Sequence, residues 1–167
     1  STAEYFLALM LTSIIKSVLV LILLCILVKF VSGFDVLKIG LLNIVLDFVN
    51  LTIFAWAIGI LITGLIFRYG TRIQAMSWGL IFLFQPLSAS FFPISVLPKP
   101  FQYISQYIPA THVFASARKN FTDPTTDWNS FFFALFLNAI YMIVSCWLFY
   151  ILFKKSRQTG QFARNEG

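Results

Sequence analysis

Charge is scarce in this sequence. Twelve basic and six acidic residues make up 11% of its 167 positions, while 59% are hydrophobic. A soluble domain carries about 25% charged residues. Too little polar surface is left to cover a folded chain in water, so the composition excludes a soluble domain and makes lipid the solvent. Histidine is nearly absent: His112 is alone, and no acid is near it in sequence. Nothing has the clustered His, Cys, Asp or Glu of a metal site, so none is assigned. The two cysteines, Cys25 and Cys146, lie inside apolar runs without metal-ligand spacing and say nothing about redox compartment. No glycine precedes a lysine, which excludes a phosphate-cradling Gly-x-x-x-x-Gly-Lys loop. A membrane hydrolase needs a nucleophile, a base and an orienting group. Ser88 and Ser90 are its weakest sort of candidate, because hydroxyls in membrane helices bond their own backbone. No catalytic residue is assigned, and the chain is expected not to be an enzyme.

Long apolar runs are what the sequence does have. A spanning helix needs about 20 apolar residues to cross about 30 Å of hydrocarbon, and lipid requires such runs to be helical. The expectation is an all-α membrane protein of about four transmembrane helices, at about 5–31, 41–67, 73–92 and 130–153, in a single domain over 1–167. Lys16 divides the first run. Either the piece before it lies in the interface, or the lysine snorkels or faces the protein interior. In the second run Ala55, Gly59 and Thr63 recur at four-residue spacing, a register that lets helix backbones approach closely. Packing within one subunit is expected of them rather than a dimer face.

The third run is interrupted. Pro86, Pro93, Pro98, Pro100 and Pro109 fall within two dozen residues, and a proline removes a helical hydrogen bond and bends the axis. Residues 101–108 and 113–117 are still mostly apolar or aromatic, which does not suit a free loop. The economical reading is a re-entrant helical hairpin over about 93–119 that dips into the membrane and returns. A polar stretch with a turn signal at Asp123-Pro124 follows. His112 reads as a cap or interfacial contact, and Arg118 as a residue that snorkels or pairs with Asp123 or Asp127. The aromatics, twenty of them phenylalanine, serve lipid contact and packing, and composition alone does not show an aromatic-lined route.

Orientation follows from Lys and Arg density near span ends. Arg68 and Arg72 flank a short link, and Lys154, Lys155, Arg157 and Arg164 crowd the tail. Span parity puts link and tail on one side, read as cytoplasmic. The net charge of +6 reflects this orientation and anionic lipid, not nucleic acid.

The segment 81–118 resembles the signature region of type-2 ABC transporter permeases, the membrane subunits of bacterial exporters. Leu87 matches its hydrophobic position, and Ser88 and Ser90 the small residues after it. Leu97-Pro98 matches its hydrophobic-turn pair, Pro109 its later proline, His112 the position three further on, and Arg118 the position six beyond that. Phe84 and Ala110 depart from the pattern, and the acid many relatives carry near Ala115 is missing. Around the signature, Arg68-Tyr69-Gly70-Thr71-Arg72 precedes the third span, and a last span and basic tail follow the hairpin.

The resemblance implies a permease that forms a translocation path with a second permease copy, as a homodimer. It implies separate ATP-binding subunits carrying ATP and Mg, with no cofactor on this chain. The hairpin, with Pro93 at its start, would shape the outer exit, and Arg68, Tyr69, Gly70, Thr71 and Arg72 would lie near the ATPase. Family permeases have six spans, so the chain is expected to be a C-terminal portion lacking the first two, in a bacterial inner membrane. The competing reading is a secondary transporter or channel with no ATPase partner. It requires intramembrane acids, and only Asp47 lies near a span.

Overall fold

The computed structural model describes residues 2–70, 73–123 and 125–158. Thr71, Arg72, Pro124 and Arg164, each named above, lie outside the described residues. The described chain is helical. In order it forms α1 (Thr2–Ser32), a 3₁₀ turn (Val36–Ile39), α2 (Leu41–Tyr69), α3 (Gln74–Leu87), a second 3₁₀ turn (Ile94–Val96), α4 (Lys99–Ser105), α5 (Pro109–Asn120) and α6 (Trp128–Gln158). Helices α1, α2 and α6 contain segments long and apolar enough to cross a membrane. The chain is therefore an all-α, multi-pass membrane protein.

α1 is one uninterrupted helix, with Lys16 on its exposed surface. None of its described side chains is buried, as expected of a helix that is apolar all round and faces lipid. Trp56 on α2 donates its indole N–H to the Ser13 hydroxyl (3.3 Å). At the end of α1, Lys29 pairs with Asp35 (3.3 Å), and the Asp35 carboxylate also caps the first 3₁₀ turn at the Leu37 N–H. These two bonds, the lysine's first, hold the Asp35 carboxyl below its ordinary range.

α2 and α6 form the core of the fold, and they run parallel. Asn50 meets Asn138, Phe54 meets Tyr141 and Phe67 meets Ser156, so the partner on α6 advances in step with the residue on α2. The common ends bring Phe67, just before Arg68, against Ser156 at the end of α6, on one side as span parity requires. The contact face of α2 carries Asn50, Phe54, Ala57 and Gly64, all buried. Asn50, Ala57 and Gly64 follow a seven-residue stripe, the seam of two helices wound at a shallow angle. Gly64 is where the helices come closest: a Cβ there would stand 3.1 Å from the Phe149 Cα. The sequence pattern pointed instead to Ala55, Gly59 and Thr63. All three are exposed, so packing within the subunit is not their role; the four-residue register selects the neighbouring face of α2.

Helix α3 differs from its sequence-based span. The sequence predicts a span at about 73–92, but α3 stops at Leu87. Its 14 residues extend roughly 21 Å at 1.5 Å per residue, short of the hydrocarbon thickness. Pro86 is the cause, since it has no N–H for the carbonyl one turn earlier and ends the helix beside it. The later prolines do the reverse and start structure. Pro93 precedes the second 3₁₀ turn, Pro98 is the N-cap of α4, and Pro109 is the first residue of α5, where a missing N–H costs nothing.

α5 packs against both α2 and α6. At its start Ile108 and Ala110 join a buried cluster with Phe54. Just past its end, Phe121 meets Phe34 in the turn before α2 (ring centroids 5.4 Å). α5 therefore runs antiparallel to α2. It begins level with Phe54, about 20 Å along α2 from Leu41, and climbs to the helix end. The polar connection to α6 is fixed by Asp127, which accepts from the Ser130 N–H and from Lys119 (both 3.2 Å). Lys119, not Arg118, thus makes the ion pair of this region. Asp123 accepts from the Thr125 N–H, a local turn bond of the expected kind.

Candidate functional site

The end of α3 and the start of α5 meet at the level of Phe54, and the candidate site lies there. Phe54 packs edge-on to Phe84 (5.6 Å) and to Tyr141 (5.4 Å). Ending a helix at this depth leaves carbonyls that lipid cannot satisfy. The sequence supplies donors locally. The Ser88 N–H donates to the Phe84 carbonyl (2.8 Å), and the Ala89 N–H to that of Pro86 (3.1 Å). The Ser88 and Ser90 hydroxyls both donate to the Gln85 carbonyl, at 3.0 and 2.9 Å. The two serines are therefore caps of α3, which explains small hydroxyl residues immediately after a proline-broken helix.

Ala89, between them, is fully buried and has φ of +51°, a region that L residues rarely occupy. Its carbonyl accepts from Arg118 Nη1 at 2.7 Å. The guanidinium on α5 thus reaches across to the segment that ends α3. A cation beside the carbonyl end of a helix is favourably placed against the helix dipole.

Beside this joint is a cavity of about 670 Å³, within the range of small-molecule sites. α2 contributes Phe54 and Gly59, the end of α3 Phe84, Gln85 and Ser88, and α5 Phe114. Its wall is mostly apolar and aromatic, with the Gln85–Ser88–Ser90 cap at one side. Gly59 opens onto free space, since a Cβ on it would meet nothing within 4 Å.

The structure thus brings Ser88, Ser90 and Arg118 together. Leu87 and the start of α5 at Pro109 pack at the same joint, whereas Pro93, Leu97, Pro98 and His112 lie away from it. Pro93, Leu97 and Pro98 shape the turn before α4, where Leu97 also accepts from the Gln102 side chain (2.6 Å). His112 lies against α6, edge-on to Phe133 (4.8 Å), and its Nε2 bonds the Gln106 carbonyl (2.8 Å). It braces the α4–α5 corner. Arg68, Tyr69 and Gly70 are at the far end of α2. There Gly70 at φ +84° closes the helix by donating to the Ile66 carbonyl, and the Arg68 guanidinium lies 5.8 Å from the Tyr69 ring centre. Among the described residues no group of acids, cysteines and histidine is placed to hold a metal.

Sequence reasoning missed Ala89 and Gln85, which act through backbone carbonyls, and the Phe54–Phe84–Phe114 wall, which requires tertiary contacts. A partial signal was present: Phe84, noted as a departure from the signature, is the residue that joins α3 to Phe54.

The chain matches the family model for the ABC-2 type transporter membrane domain over residues 1–122, from α1 to just past α5. No curated protein and no solved structure matches it.

Proposed function

This chain belongs to the ABC-2 type transporter family, and from that premise we propose that it is the membrane permease subunit of an ATP-driven exporter. An ABC transporter permease is a transport subunit and not itself an enzyme, and it works with an ATP-binding subunit. In this reading ATP and Mg reside on that separate subunit. A second permease copy completes the path as a homodimer, and the membrane is a bacterial inner membrane.

One observation carries the reading: α3 stops about halfway along α2, and α5 begins at the same level, against Phe54. Broken helices whose ends meet at mid-depth are a recurring way for transporters to place polar backbone on a substrate path. We read α4 and α5 as the re-entrant hairpin over 93–119 that shapes the outer exit. The other end of α3 is tied to the end of α2, where the Ile73 N–H donates to the Gly70 carbonyl (3.2 Å), and we read the 68–72 link as facing the ATPase. ATP binding favours one arrangement of the permease pair and ATP release the other, a shift driven by differential affinity for the two states.

The test is reconstitution of the complete permease in proteoliposomes with and without its ATPase subunit. Export that requires both the subunit and ATP is expected. Transport that proceeds at the same rate without them makes the protein a secondary transporter or channel instead.

A further inference from the structure

The joint between Ala89 and Arg118 is a second-level feature of the site, and its role rests on the exporter reading above. We propose that Arg118 acts as a positioning residue, locking the end of α3 to α5 so that the two helices move as one body between the ATPase-facing link and the outer exit.

Three observations converge on it. First, Ala89 is held at φ +51° while fully buried. Left-handed backbone is costly for an L residue with a Cβ, and such strain persists only where the surroundings over-determine it. Second, the acceptor at that turn is a carbonyl and the donor is an arginine 29 residues away on another helix (2.7 Å). Arginine stays charged and its guanidinium is rigid and planar, so this bond sets the separation of the two segments. Third, α3 makes few contacts with α2 and α4 and fewer still with α5, so the bond at its end is what ties it to α5, and one side of it borders the open cavity lined also by Ala110 and Phe114 of α5. A helix held loosely along its length and firmly at its end transmits movement through that end. The joint also fixes Ser88 and Ser90 at the cavity wall, because they flank Ala89.

The experiment uses the complete permease with its ATPase in nanodiscs, with Cys25 and Cys146 replaced by serine. Spin labels are placed on cysteines at position 79 in α3 and 115 in α5. Gly79 and Ala115 are both exposed, and nothing lies within 4 Å of a Cβ at Gly79. The 79–115 distance is measured without nucleotide and after vanadate trapping. With Arg118 in place it is expected to be the same in both states. In Arg118→Ala its distribution broadens and export falls about tenfold or more, the effect of losing a charged hydrogen bond that acts on the rate, while ATP hydrolysis continues. Arg118→Lys keeps the charge and loses the planar guanidinium, so it tests the same point should the alanine variant not assemble. A broadened distribution and several-fold slower export are expected of it. A 79–115 distance that changes on trapping with Arg118 intact overturns the proposal. So does wild-type export by whichever variant assembles. Export independent of ATP in the parent protein overturns the exporter reading, whereas normal ATP-driven export by the variants overturns the joint alone.

Discussion

Gly64 sits against Phe149 so closely that a Cβ on it would come within 3.1 Å of the Phe149 Cα. The obstacle is backbone, which cannot turn aside as the tip of a side chain can. The approach is what lets α2 and α6 pack along the Asn50–Ala57–Gly64 seam.

Gly64→Ala is therefore expected to push the two helices apart and destabilise the protein by about 1–3 kcal/mol, the usual cost of overpacking. Gly59→Ala meets open space and has ordinary helical backbone, so it should be neutral or slightly stabilising through helix propensity. Thermal unfolding of the two variants in the same detergent distinguishes them. Equal shifts would mean that the α2–α6 seam does not run through Gly64.

Asn138 is fully buried and donates its amide to both the carbonyl (3.0 Å) and the side-chain oxygen (2.9 Å) of Asn50. This polar bridge ties α6 to α2 inside the membrane-spanning region. Interhelical hydrogen bonds there contribute about 0.6–2 kcal/mol. Asn138→Ala is expected to lose about that much and also to leave the Asn50 side-chain oxygen without its donor. A double-mutant cycle with Asn50→Ala, read by thermal unfolding, should show coupling between the sites. Strict additivity would assign the loss to packing alone.

How far the sequence revealed the fold depended on whether a feature was local. The long apolar runs and the short helices that start at Pro98 and Pro109 follow from residue types and their neighbours, as do the Asp123 turn and the basic ends. The third run, read to about residue 92, instead ends as a helix at Leu87 beside Pro86. The parallel pairing of α2 and α6 was implied by span parity, but its contact face was not. Gly59 and Gly64 are equally small, and only the partner helix decides which one is covered. At the site, the serines and Arg118 were visible as side chains in a spaced motif. Their connection was not, because it runs through the carbonyls of Gln85 and Ala89, and every residue type has a carbonyl.

Arg118 and Lys119 are adjacent cations with different partners: a buried carbonyl at Ala89 for the first and the carboxylate of Asp127 for the second. Lys119 is half exposed, and a pair of that kind is worth less than about 1 kcal/mol. Lys119→Ala should therefore leave export near the parent rate, whereas Arg118→Ala should reduce it clearly. Similar losses in side-by-side transport assays would mean that only a generic interfacial charge is required.

Asp127 supplies the pH-dependent element at the start of α6. Its carboxylate is held below the ordinary range, chiefly by the Ser130 N–H and further by Lys119. The fold thus favours the charged form. The stability it adds is complete above the usual carboxylate value of about 4, and it is lost as pH falls through the lowered folded value. Thermal unfolding of the parent protein should weaken below about pH 4, and Asp127→Asn should be less stable at neutral pH but lose less on acidification. Lys119→Ala should keep most of the parent's acid dependence, because the backbone bond at Ser130 remains. If Asp127→Asn and the parent protein have identical unfolding profiles between neutral pH and pH 3, the N-cap at Asp127 contributes nothing to the start of α6.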